Sequence, residues 1–118
     1  MYGHPNINDA KFSFTPRSIA GAKYPPHRDK VCFGVDLRTV PHKEIIDNGF
    51  NLEYIVDAYK RVGTGESFFT PFFEKLVGVD YIRKMIVQGH SANSIKAMWR
   101  DDVEKFKILR RKYLLYKE

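Results

Sequence analysis

Five basic side chains, Arg17, Lys23, Arg28, Lys30 and Arg38, fall in or beside the least regular stretch of this sequence, and Tyr24 stands among them. A guanidinium presents a planar fork of donors that matches a carboxylate, and a tyrosine ring offers a flat stacking face. The grouping therefore fits a ligand bearing a carboxylate. A solvated basic surface would use the same residues with no ligand at all. Other chemistry is harder to assemble. Acid–base work on a glycosidic bond needs two carboxyl groups about 5 to 10 Å apart, and the spacing of Asp29 with Asp36, or of Glu66 with Glu74, does not establish convergence. The histidines His4, His27, His42 and His90 follow no metal-ligand spacing. Neither a phosphate-cradling glycine loop nor a G-x-S-x-G nucleophile motif is present. No catalytic residue, metal or cofactor is assigned. Cys32 is the only cysteine, which excludes an internal disulfide and a cysteine-based zinc site, and it reads as a small buried apolar residue.

These residues need a scaffold. Residues 1–26 are rich in Pro, Gly and Asn, with Phe12 and Phe14 alternating ahead of Thr15-Pro16, which predicts a short strand ended by proline. Residues 20–28, AGAKYPPHR, are punctuated by Gly21 and Pro25-Pro26 and read as an irregular loop. Val31, Phe33, Val35 and Leu37 alternate with Cys32, Gly34, Asp36 and Arg38, the clearest strand in the chain. Two strands make a poor independent sheet, so this part is expected to extend a sheet supplied by another domain.

After Pro41 the pattern turns helical. A short helix over 42–47 should stop near Asn48-Gly49. Asn51 caps a second, with Leu52, Ile55, Val56, Tyr59 and Val62 on one face and Gly63 as its end. Phe68, Phe69, Phe72 and Phe73 form an aromatic cluster expected to fill the core against the final helix. A helix over 79–88 buries Tyr81, Ile82, Met85 and Ile86 and stops at Gly89. Ser91 then caps the terminal run, whose residues Ile95, Met98, Trp99, Val103, Phe106, Leu109, Tyr113 and Tyr116 make one stripe and a core wall. Asp101 and Glu104 have capping-box spacing and predict a break near Arg100. The fold class is α+β: a small N-terminal β-sheet covered by several C-terminal helices, as one domain over residues 1–118.

At 118 residues the chain is too short for a large enzyme with its own cofactor domain. No apolar run approaches the roughly twenty residues a bilayer demands, and the first residues lack the basic and apolar regions of a signal peptide. The net charge of +6 favours an anionic partner. On the charged face of the terminal helix, which also carries Lys105, the residues from Lys107 to Lys112 could track a phosphate backbone, but the basic residues are not interleaved with exposed aromatics as single-strand platforms require. A nucleic-acid-binding module is therefore the lesser alternative, with a pure interaction domain as a third.

Read in order, Phe14-Thr15-Pro16-Arg17-Ser18-Ile19, Gly21-Ala22-Lys23 with Pro25-Pro26, and Cys32-Phe33-Gly34-Val35-Asp36-Leu37 form a recognisable series. Trp99, Phe106, Arg110 and Lys112-Tyr113-Leu114-Leu115-Tyr116 complete it, and Tyr2-Gly3-His4-Pro5 matches its entry. The series resembles the C-terminal domain of the NamZ-type exo-β-N-acetylmuramidases, a bacterial glycoside hydrolase family formerly catalogued as a domain of unknown function.

The resemblance implies a peptidoglycan-recycling hydrolase that removes terminal N-acetylmuramic acid, with this domain helping to shape the cleft. It also implies an upstream Rossmann-like domain that carries the catalytic carboxylates; that domain and a glycine-rich acidic stretch ahead of His4 are not in this sequence. The 118-residue chain alone is accordingly expected to be inactive. The expected partners are that upstream domain and a muropeptide or muramic-acid-containing saccharide, with no nucleic acid and no membrane segment, and the family's location is periplasmic or secreted. Within the cleft, Arg17 and Lys23 are the expected carboxylate contacts and Tyr24 the ring platform, with His4 near the junction.

Overall fold

The computed structural model describes residues 1–116. The architecture is α+β, and the chain divides into two compact units, Met1–Thr70 and the residues from Pro71 onward.

The first unit is built on a three-stranded antiparallel sheet in the order β1-β3-β2, with β1 at Tyr2–His4, β2 at Phe12–Phe14 and β3 at Cys32–Val35. The third strand therefore comes from this chain's own first residues, where the sequence reading counted two strands. β1 was not legible because Tyr-Gly-His is too short to show alternation; pairing with β3 creates it. Gly3 lies opposite Gly34, and Phe12 lies opposite Gly34 on the other side. A Cβ on Gly34 would sit 2.0 Å from the Tyr2 carbonyl oxygen, and one on Gly3 would sit 2.8 Å from Cε1 of Phe14. The two glycines thus let β1 approach β3 and let the Phe14 ring lie across the strands.

The strand β3 stops four residues after it starts, because Asp36 turns the chain. Its carboxylate accepts the Arg38 backbone N–H at 3.0 Å and the Arg38 guanidinium at 2.9 Å and 2.7 Å. These side-chain and backbone hydrogen bonds hold Asp36 at about 2, below its ordinary 3.8. Because the folded value is the lower one, the pair's stabilisation is present above the ordinary value and is lost as pH falls from 3.8 towards about 2. Across that window the melting temperature of Asp36→Asn should fall less than that of the parent; equal falls would show that the pair contributes nothing.

Helix α1 spans His42–Asn48 and ends at Gly49, whose φ is 55°. Helix α2 spans Glu53–Val62. Asn51 Oδ1 accepts from the Glu53 N–H at 2.8 Å, and Gly63 ends the helix in the left-handed region. Leu52, Val56 and Val62 of its apolar face are buried. The helix packs on β1: Tyr2 donates its hydroxyl proton to Asp57 at 2.7 Å, and Asp57 also holds Arg61 at 2.9 Å, which reaches Asp9 at 3.5 Å. Burial, and then the Asp57 carboxylate, push the Tyr2 hydroxyl well above its ordinary range. A 3₁₀ turn over Gly65–Phe68 follows, and Phe68 and Phe69 pack on Tyr59 of α2, each with ring centroids 5.6 Å from it.

In the second unit, α3 spans Phe73–Val77, α4 spans Tyr81–Val87 and α5 spans Ala92–Arg110. α4 buries Ile82 and Ile86 and ends in a Schellman turn, with the His90 N–H on the Met85 carbonyl and the Gly89 N–H on the Ile86 carbonyl. Ser91 caps α5 by accepting the Ser94 N–H at 3.1 Å.

Three expectations are corrected here. α5 runs unbroken through Arg100, since no glycine or proline interrupts it and Asp101 and Glu104 sit in its interior. Its stripe is not a core wall along its length: Ile95 is fully buried, yet Phe106 is 59% exposed and Val103, Leu109, Tyr113 and Tyr116 are exposed too. Phe72 is likewise exposed, so the aromatic cluster is not one buried block.

Candidate functional site

The loop between β2 and β3 is long, but it is tied at three levels. The Asp29 N–H donates to the Pro16 carbonyl at 2.9 Å and closes its neck. Ile19 and Ala22 exchange both backbone hydrogen bonds, at 3.2 Å and 3.0 Å, around a tight turn at Ala20-Gly21. Lys30 N–H donates to the His27 carbonyl at 3.0 Å. Between these ties His27 and Asp29 adopt φ of 56° and 60°, the left-handed region that is uncommon for non-glycine residues but that His and Asp tolerate better than most. The two left-handed residues flank Arg28 and set its direction.

The loop encloses an open depression of about 410 Å³ lined by Ser18, Ile19, Ala20, Lys23, Tyr24 and Arg28. That volume lies in the range of small-ligand sites. Its walls combine an ammonium, a guanidinium, a phenol ring and short backbone segments. Tyr24 is 86% exposed, so its ring face is open to a ligand. Arg28 Nε donates to Asp29 at 3.1 Å, a pair with both side chains well exposed and easily exchanged for another anion.

The sequence-predicted residues divide. Lys23 and Tyr24 line the depression together, whereas Arg17 lies in the same loop but outside the lining. Arg17, Lys23 and Lys30 make no ion pair among the described residues, while Arg38 is committed to Asp36 and also lies 5.9 Å from the Phe12 ring centroid. His4, on β1, packs edge-on against His27 with ring centroids 4.4 Å apart. Its Nδ1 accepts the Asn6 N–H at 3.0 Å, which puts the proton of the neutral ring on Nε2. Burial, and then the neighbouring His27, hold His4 below its ordinary value, so it favours the neutral donor form. His27 precedes Arg28, and this ring pair thus joins β1 to the loop. Arg28 stood in the basic group from the start but was not singled out as a contact, and Ser18 was not named; the Pro25-Pro26 pair marked the turn, while His27 and Asp29 are of the non-glycine types that tolerate the left-handed backbone found on either side of Arg28.

The carboxylates weighed for acid–base work gain no support from their partners. Asp29 holds Arg28, Asp36 holds Arg38, and Glu74 holds Arg83 at 2.7 Å. Cys32 is buried, and that burial pushes its thiol up, away from reactivity.

Residues 1–116 match the sequence model of a family described as exo-beta-N-acetylmuramidase NamZ, C-terminal. The chain belongs to this family. The NamZ C-terminal fold seen here is similar to a crystal structure of a DUF1343 family protein from Bacteroides fragilis, with 55% sequence identity and a TM-score of 0.95. That match covers 99% of this chain and 33% of the other, so the chain spans about a third of that relative's length. Comparison with curated proteins gave no match. Among the described residues no helix is long and apolar enough to cross a membrane.

Proposed function

We propose that this NamZ C-terminal domain forms one side of the cleft of a peptidoglycan-recycling exo-β-N-acetylmuramidase and receives the terminal N-acetylmuramic acid of a muropeptide or related saccharide. The observation that carries this reading is the cationic, aromatic depression under residues 18–28, in a chain of this family. N-acetylmuramic acid differs from N-acetylglucosamine by a lactyl ether that ends in a carboxylate. Lys23 and Arg28 supply charge-assisted donors for that carboxylate, and the open Tyr24 ring supplies a stacking face for the sugar. Arg17, in the same loop, is free of ion pairs among the described residues and is placed as a second anion contact. His4 contributes an Nε2–H donor at the loop's edge. Bond cleavage is assigned to carboxylates outside this chain.

The test is kinetic, in a family polypeptide that carries both this domain and the portion preceding it. Lys23→Ala should lower kcat/KM for a chromogenic N-acetylmuramide by about 10- to 100-fold, the size of one charged hydrogen bond at about 1.5 to 3 kcal/mol. The residual rate on the N-acetylglucosamine analogue should not change. Arg17→Ala should show the same selectivity with an unchanged melting temperature, since no ion pair is lost. Equal losses on both sugars, or none on the muramide, would sink the carboxylate role.

A further inference from the structure

On a helix with 3.6 residues per turn, Ile95, Trp99, Val103, Phe106 and Leu109 lie along one line. Burial along that line is uneven. Ile95 is 0% exposed and Trp99 half-buried, but Val103, Phe106 and Leu109 are 41%, 59% and 56% exposed. Helix length explains the change. α4, which packs on α5, has seven residues and spans about 10 Å, whereas the nineteen residues of α5 span about 28 Å. Nearby charges are already engaged, with Lys105 on Asp102 at 3.7 Å and Lys107 on Glu104 at 2.8 Å. What remains open is an apolar strip of three large side chains in the outer half of the helix.

We propose that this strip is an intramolecular docking surface, covered by the portion of polypeptide that precedes this domain in the longer family proteins. Two observations select that occupant over a second copy of the chain. The Bacteroides fragilis relative keeps this fold at a TM-score of 0.95 while being about three times as long, so the fold is built to serve as one third of a larger polypeptide. The strip is also small. With Met98 beside it, it exposes on the order of 400 Å², below the roughly 800 Å² per partner that untethered complexes bury. It suits an interdomain contact of about 600 to 1,500 Å² in total, where the tether supplies an effective concentration in the millimolar range.

Thiol labelling tests this without any saccharide, so it fails or stands separately from the muramidase reading. Leu109→Cys and Val103→Cys place a thiol on the strip, and Ala97→Cys places one on the exposed opposite side of the helix. In the longer polypeptide the first two should react with a maleimide at least about tenfold more slowly than the third under native conditions. In the 118-residue chain all three should react at similar rates. Phe106→Glu should restore fast labelling of Leu109→Cys in the longer polypeptide, whereas Ala97→Glu should not. Equal rates at all three positions in the longer polypeptide would overturn the proposal. Protection in the 118-residue chain that grows with its concentration would assign the strip to a second copy and overturn it as well.

Discussion

Gly34→Ala should destabilise the first unit by about 3 kcal/mol or more and release β1 from the sheet. The added Cβ meets only backbone, at 2.0 Å from the Tyr2 carbonyl oxygen, 2.6 Å from Gly3 Cα and 2.8 Å from the Tyr2 carbonyl carbon. No side chain can rotate away to make room, so the strands must separate and the ladder between Tyr2–His4 and β3 is lost. With β1 go the Tyr2 hydrogen bond to Asp57 and the His4 contact with His27. The loss is therefore coupled. In the parent, Tyr2→Phe should cost about 1.5 to 3 kcal/mol through the missing hydrogen bond to a carboxylate; in the Gly34→Ala background it should cost almost nothing. Chemical denaturation of the four variants measures both numbers. An unchanged midpoint for Gly34→Ala would show that β1 does not contact β3 as described.

That glycine pair also shows where the sequence stops being readable. Alternation over residues 31–38 located the strand, but it offered two faces and did not say which one is buried. The more hydrophobic set, Val31 and Phe33, is the more exposed; Cys32 and Gly34 are buried on the face they share with Phe14 and Phe12, their partners on β2, while Gly34 also lies against Gly3 of β1. Close approach between backbones thus outweighed side-chain hydrophobicity. β1 itself depends on pairing Tyr2 with Val35, a contact no local window contains.

Local signals fared better where the governing physics is local. Caps at Asn51 and Ser91 and stops at Gly49, Gly63 and Gly89 all fall where the sequence places them, since each depends on a side chain or a positive φ within one turn. For the site, the clustering of Lys23 and Tyr24 was visible as composition in a proline-punctuated loop. The direction of Arg28 was not, because His27 and Asp29 take left-handed backbone under the ties from Pro16 and Lys30. The basic residue spacing likewise could not reveal that Arg38 is consumed by Asp36.

The terminal helix poses a sharper contrast, because Ile95 and Phe106 belong to one sequence stripe and should respond oppositely to the same change. Ile95 is completely buried, so Ile95→Ala in the 118-residue chain should cost about 3 kcal/mol, within the usual range for emptying a buried Ile position. Phe106 keeps more than half of its surface in water. Phe106→Ala removes little burial and gains helix propensity, so the two effects offset and the net change should stay within about 0.5 kcal/mol. A hydrophobic stripe reports which face of a helix needs a partner; burial reports whether the chain supplies one, and α4 supplies it only for the first turns. Thermal and urea unfolding of both variants, followed by circular dichroism, decides the matter. Similar losses at the two positions would mean that the outer half of α5 is packed after all, and the division of the helix into a covered and an open half would be wrong.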